Sequence, residues 1–282
     1  MGYKEGTRQK IMDDSIQETP MNENDRNRKM GSNFRPRLGM TVLTVCAVLL
    51  ANPPAAVAQE DGWRFGVGTG FMSFSLDGDI GFATSAGGVV VDVDLDNSDT
   101  ADLFESAFGF AGFAANGPWT INFSYGTVTL EDDDAGFKAE WDKAAAELSV
   151  VYNFATTGNH RWGVLVGTRY TDHEWKFTDR ATSGKVEPGD DWTDAIVGLT
   201  HAVPVSDNWF WTNRVDYGFG DSEGTFNAVT AINWQPWPNW VFNLRGRYYS
   251  VEFGDEDDIN DSDFYYYDVD ELAIGLGFMY TW

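Results

Sequence analysis

The side chains with the most direct chemical potential are three histidines, His160, His173 and His201. Imidazole titrates near neutral pH and serves hydrolases as a base when a nucleophile or acid stands beside it. His173 has that kind of setting in Tyr170-Thr171-Asp172-His173-Glu174. No G-x-S-x-G or comparable nucleophile motif accompanies it. The favoured reading is a structural histidine and a chain that is not an enzyme, with hydrolysis centred on His173 as a distant alternative. Metal chemistry is a second option. Asp92-Val93-Asp94-Leu95-Asp96 resembles the start of a calcium loop, but such a loop needs glycine at its sixth position and glutamate at its twelfth. Asn97 and Leu103 stand there, so alternating Asp and Val fits a solvated strand better. The acid runs Asp255-Glu256-Asp257-Asp258 and Asp261-Ser262-Asp263 could hold Ca²⁺ or Mg²⁺ loosely or bridge lipopolysaccharide phosphates. Solvated loops are the more common outcome for such runs, and no resident metal or cofactor is expected.

The chain opens with segments that read as export signals. Residues 38–51 (LGMTVLTVCAVLLA) form an apolar core preceded by Arg35 and Arg37 and followed by Ala56-Val57-Ala58. This is the order of a secretory signal peptide, with cleavage expected after Ala58. The polar stretch before Met30 suits such a peptide poorly, so Met30 is a candidate start. The sole cysteine, Cys46, lies inside the core and is followed by further apolar residues, which argues against a lipid anchor. Residues 1–58 are thus read as leader and signal, and 59–282 as one folded unit without thiol chemistry. Residues 1–58 carry 8 of the 19 basic and 6 of the 44 acidic side chains, leaving 11 against 38 and a net charge of −27. A surface of that sign excludes nucleic acid as a partner. Yet the chain holds 12 Trp, 11 Tyr, 20 Phe and 30 Gly, and disordered acidic chains lack aromatics. The two features agree if the aromatics face lipid and the acids occupy loops.

Segments of about ten residues with period-two alternation support this division, since transmembrane strands are apolar toward lipid and small or polar toward the lumen. In the last segment Leu272, Ile274, Leu276, Phe278, Tyr280 and Trp282 share one face, and Ala273, Gly275, Gly277, Met279 and Thr281 the other. Trp63, Phe65, Val67 and Phe71 repeat the pattern against Arg64, Gly66, Gly68 and Gly70. Four short turns, at Asn116-Gly117-Pro118, Thr156–Asn159, Ser206-Asp207-Asn208 and Gln235–Asn239, are followed by Trp119, Trp162, Trp209 and Trp240. With Trp63 and Trp282 they predict a periplasmic aromatic girdle, where indole meets the membrane–water boundary. Four such turns and two termini on one side predict an all-β, transmembrane, antiparallel up-and-down barrel of ten strands. Eight or twelve stay open, because 77–103 reads equally as a loop, a lid, a plug or an extra hairpin. A soluble sandwich has no need of Trp at one end of every second strand.

Alternation points Arg64, Glu105, Lys143, Glu147, Arg169, Arg214, Asp216, Arg245 and Arg247 into the lumen. Charges in a narrow lumen need partners. A paired network that plugs the barrel is favoured over an anion-selective channel with a basic constriction.

The terminal Leu276, Phe278, Tyr280 and Trp282 resemble the assembly signal of bacterial outer-membrane proteins. Residues 59–282 resemble in general pattern the small barrels grouped with OmpA-like and opacity-type proteins. The resemblance implies a location in the Gram-negative cell outer membrane, insertion by the barrel-assembly machinery, and contact with membrane lipid and lipopolysaccharide. It implies no particular task, because many functions sit on such barrels. The two functional readings are a structural or surface-interaction barrel with acidic extracellular loops and a narrow selective channel. Oligomeric state stays open.

Overall fold

A computed structural model describes residues 62–282, apart from 85–86, 134–135 and 182–183. The leader and signal lie outside the described residues. Twelve strands form one sheet: β1 (Arg64–Thr84), β2 (Gly87–Leu95), β3 (Phe104–Asn116), β4 (Trp119–Asp133), β5 (Phe137–Thr157), β6 (His160–Asp179), β7 (Gly184–Val186), β8 (Gly189–Ser206), β9 (Trp209–Gly220), β10 (Gly224–Trp237), β11 (Trp240–Phe253) and β12 (Tyr265–Thr281). Ten of them run as neighbours from β1 through β3, β4, β5, β6, β8, β9, β10 and β11 to β12, and β12 pairs back onto β1. The ring is antiparallel and closed, so the ten staves expected from the turns are the ten that form the barrel. β2 and β7 are not staves. β7 pairs only the outer end of β6, and β2 pairs the outer end of β1 from Leu76↔Leu95 to Thr84↔Gly87. The undecided segment 77–103 is therefore an extra hairpin.

The turn chemistry explains the tight end of the barrel. Asn116 pairs with Trp119, and Thr157 with His160, leaving two-residue turns. Gly117 and Gly158 take φ of 55° and 59° there, the left-handed conformation that two-residue hairpins need and that glycine adopts without strain. The girdle Trp residues follow these turns and are all exposed. Phe65, Trp282 and Tyr280 stack in series at centroid distances of 5.9 and 5.9 Å, with Trp240 edge-on to Tyr280 at 5.2 Å.

Side-chain polarity reverses partway up each long strand. In the lower part of β12 the apolar residues face outward, with Leu272, Ile274 and Leu276 exposed by 59, 57 and 56%. In its upper part Tyr265, Tyr267 and Val269 are buried inside, while Asp268 and Asp270 face out. β1 behaves alike: Phe65, Val67 and Phe71 face out below, and Phe74, Leu76 and Ile80 are buried above, with Asp77 and Asp79 on the outer surface. An apolar outer face is stable only against lipid, and an apolar inner face with acids outside only in water. The change of sign places the outer membrane boundary near Phe71, Tyr125, Tyr170, Tyr248 and Leu272. The span from Trp240 to Tyr248, or Trp282 to Leu272, is then about 20–25 Å at ordinary strand rise and tilt. Above it the lumen is filled by one aromatic-rich core that includes Met72, Phe74, Val128, Trp141, Trp192 and Tyr267. Alternation by itself implies a small or polar inner face along the whole barrel. The upper core departs from it because the phase of alternation is unchanged and only its polarity flips.

Between β2 and β3 lies a short helix, α1 (Asn97–Asp102). Asp96 caps it, accepting from the Ser98 and Asp99 amides at 2.6 and 3.0 Å, and Asp99 accepts in return from the Asp96 amide at 3.0 Å. The acid that resembled a calcium-loop ligand is thus a helix cap. The Ser98 hydroxyl, followed by the Asp99 and Ser98 amides, holds the Asp96 carboxyl below its ordinary range. A carboxyl with a depressed folded-state pKa stabilises above its unfolded value and loses that contribution as pH falls through the folded one. The protection of the α1 amides, taken relative to their intrinsic exchange rates at each pH, is therefore expected to fall below about pH 4 in the wild type. In Asp96→Ala it is expected to be low at every pH. Equal protection in the two proteins at pH 7 would show that the cap is idle.

β1 changes partners along its length. Its ladder to β3 covers Arg64↔Ala115 to Gly68↔Ala111, while its ladder to β12 runs unbroken from Gly66 to Phe82. From 69 to 75 the β3 side carries no ladder. α1 closes the top of this seam, where the buried Thr100 hydroxyl donates to Phe74 O at 2.5 Å and Asn97 donates to Ser73 Oγ at 3.0 Å.

Candidate functional site: the charged belt of the lumen

Inward positions on neighbouring staves bring four charges together. Glu147 on β5 is in register with Arg169 on β6, and Arg214 and Asp216 lie two residues apart on β9, on the same face. Arg169 Nη2 donates to Glu147 Oε2 at 2.9 Å and to Asp216 Oδ1 at 2.8 Å. Arg214 grips Glu147 with both terminal nitrogens, at 2.7 and 3.0 Å, and its Nε reaches Asp216. All four side chains are buried. The belt continues sideways: Asn227 Nδ2 donates to Asp216 at 2.7 Å, and Arg247 Nε donates to Asn227 Oδ1 at 3.0 Å. Arg247 lies 3.9 Å from Glu271, whose other oxygen takes Lys143. The Tyr249 ring covers the belt from the side of the aromatic core, 4.2 Å from the Arg247 guanidinium and 5.2 Å from that of Arg169. The result is a continuous polar layer across the lumen, with the aromatic core above it and smaller apolar clusters, one around Phe113, Phe210 and Met279, below.

Six of the nine predicted lumen charges, Lys143, Glu147, Arg169, Arg214, Asp216 and Arg247, meet in this layer. Arg245 is also buried in the lumen, 5% exposed. Among the described residues it forms no ion pair, and its Nε has no hydrogen-bond partner. Arg64 stands apart at the periplasmic end, where its charge acts on Arg161. Glu105 corrects the reading. The β3–β4 register slips between Phe104 and Ser106, and this bulge takes Glu105 out of the inward series. Its carboxylate lies within 4.8 Å of those of Glu131 and Glu140 instead, on the outer wall above the membrane. Partial burial and the Glu131 charge raise its pKa. Lys138 offsets the cluster, 3.0 Å from Glu131 and 3.1 Å from Glu140.

Two belt members escaped the sequence reading. Glu271 occupies the inner face one residue before Leu272, where the apolar alternation of the last strand begins. Asn227 is neutral and gives no charge signal in the sequence, although it is the bridge between the two halves of the belt. Outside the belt, Asp194 is also inward and fully buried, and it accepts from the Ser222 amide and hydroxyl at 3.2 and 2.8 Å.

His173 is inside the lumen, within the aromatic core. It is 1% exposed and boxed by Trp141, Trp192 and Tyr267 at 5.4, 4.8 and 4.5 Å, with Nδ1 3.1 Å from Tyr265 Oη. His160 and His201 face each other near the periplasmic end, Nδ1 to Nε2 at 2.9 Å.

No family model matches the chain, and no curated protein matches its sequence. Solved structures do. The outer membrane protease OmpT of Escherichia coli superposes over 79% of this chain and 97% of its own, at 10% identity and a TM-score of 0.50. The fold is that of an outer-membrane β-barrel. Looser superpositions join it to the attachment invasion locus protein Ail of Yersinia pestis (9% identity, 78 and 99% covered, TM-score 0.36) and to a major outer membrane protein of Thermus thermophilus (16% identity, 78 and 100% covered, TM-score 0.38). At these identities the likeness extends to architecture alone. The barrel's own surface agrees with it, since an exposed apolar band runs around its lower part.

Proposed function

We propose that this barrel is sealed along its axis and acts at the cell surface through its acidic extracellular wall. The observation that carries the reading is the buried Glu147–Arg169–Arg214–Asp216 cluster, whose four side chains are at most 7% exposed. A ten-strand barrel is close to the size at which side chains fill the interior, and interlocked charges of both signs leave no continuous field for one ion type. The outer wall supports the second half of the reading. Asp77, Asp79, Glu252, Asp268 and Asp270 are exposed on adjoining β1, β11 and β12. Such a face suits cations and cationic partners, including divalent ions shared with lipopolysaccharide phosphates.

Planar-bilayer recordings test the seal. Wild-type protein is expected to show no steady conductance, and the variant Glu147→Ala/Arg169→Ala/Arg214→Ala/Asp216→Ala to show discrete openings. A steady anion-selective current in the wild type, lost in Arg245→Ala or Arg247→Ala, would replace this reading with the channel.

A further inference from the structure

The seam between β1 and β3 lies where a barrel wall should be continuous. Phe65 and Trp282 exchange both backbone hydrogen bonds, at 2.9 and 3.0 Å. In an antiparallel ladder this fixes the parity: odd residues of β1 address β12, and even residues address the other side. Gly70 and Met72 therefore turn their backbone groups toward β3, beyond the point where that ladder stops. Just above its last rung the strands are tied by the Thr69 hydroxyl, which donates to Gly109 O at 2.5 Å. Continuing the register would set Gly70 opposite Gly109 and Phe71 opposite Phe108. The seam thus has two glycines facing inward and phenylalanines outside, with Phe108 58% exposed. Its length from 69 to 74 is about 16 Å at strand rise, and it lies at the outer edge of the lipid-facing band. Backbone groups left out of a ladder are costly next to hydrocarbon, so this is the weakest line in the wall.

Two features lie directly behind it. One is a cavity of about 50 Å³, with Met72, Phe74, Val128 and Trp141 on its apolar side and Lys143, Arg247 and Glu271, joined to one another by ion pairs, on its polar side. It falls between β1 on one side of the seam and β4 and β5 on the other. The second is Arg245. A methyl group placed on Gly70 would stand 3.4 Å from Arg245 Nη2, which puts the guanidinium immediately inside the seam. This is the buried cation that forms no ion pair among the described residues. An apolar space, a cation lacking a carboxylate and an access line that meets hydrocarbon define one kind of ligand.

We propose that the β1–β3 seam is a side entrance through which a single-chain carboxylate amphiphile of the outer leaflet docks, its carboxylate on Arg245 and the start of its chain in the Met72–Phe74–Trp141 cavity, the remainder leaving through the seam into the bilayer. The source is the membrane, because the seam opens at the level of Phe71 and Phe108, not to water. The reading does not depend on the axial seal: conductance and side entry are measured separately.

The test uses the complete barrel in phospholipid nanodiscs, with palmitate and hexadecanol as probes and native mass spectrometry as readout. Wild type is expected to retain one palmitate and to bind hexadecanol about tenfold more weakly, the usual worth of a hydrogen-bonded charge. Arg245→Gln should erase the difference between the two probes while leaving hexadecanol unchanged. A Phe71→Cys/Phe108→Cys variant, with Cys46→Ser, closes the seam when joined by a short bis-maleimide; the joined protein should exclude palmitate and the same protein before joining should take it up. Equal retention of both probes by the wild type, an unchanged palmitate preference in Arg245→Gln, or undiminished uptake by the joined protein would each overturn the proposal.

Discussion

Glu147→Leu is expected to cost about 3–5 kcal/mol of stability, the range for removing one partner from a buried ion cluster. The reason is what stays behind. Arg169 and Arg214 both rest on Glu147, and without it two buried guanidinium groups share Asp216 alone. Neither can swing to water, because the aromatic core lies above them and apolar side chains lie below. Replacing all four members by apolar residues of similar volume is expected to cost far less than the single change, and to be close to neutral, since the desolvation of every charge is then avoided. Urea unfolding of the folded barrel, followed by its mobility shift on unheated gels, measures both. A cost below about 1 kcal/mol for Glu147→Leu would mean the cluster is solvated like a surface pair, and would also remove the main support for a sealed lumen.

The barrel was legible because two independent regularities agree. Period-two alternation marks the staves, and Trp after each short turn marks which end is which. Turn residues did the rest, with Gly117 and Gly158 in the backbone conformation that such turns require. The charged belt was legible for the same reason: Glu147, Arg169, Arg214 and Asp216 follow from parity alone. Its partners were less so. Parity says that a side chain points inward, but not at what height, and height decides that Arg247 reaches Asn227 while Arg64 does not. One inserted residue defeats the rule entirely, as at Glu105, where a bulge turns an inward position outward. The seam was invisible for a deeper reason. Nothing in the types of Thr69, Gly70, Ala107 or Gly109 announces that two adjacent strands cease to pair; pairing belongs to the register of the whole ring and to the insertion of β2 and α1 beside β1.

The polarity reversal leads to the second large effect. If the outer half of the lumen is a water-excluding core, Trp141→Ala should destabilise the barrel by about 3–5 kcal/mol, the range for deleting a buried aromatic. Trp141 is 2% exposed, stacked on Trp175 at 5.4 Å and edge-on to Phe74 at 6.5 Å. Among the described residues its Nε1 has no hydrogen-bond partner, so the loss is one of packing and apolar burial. The same truncation at Trp209, 41% exposed in the girdle, removes an interfacial side chain that keeps one face in contact with lipid and should cost clearly less. The comparison isolates the principle, because a barrel with apolar residues outside and polar ones inside throughout would give the opposite order. Under that pattern an inward Trp would be a loose lumen side chain and an outward one a membrane anchor. Unfolding midpoints of the two variants, taken in the same detergent, decide between them: a larger loss for Trp209→Ala than for Trp141→Ala would show that the strands do not outrun the membrane as far as their acidic outer faces imply.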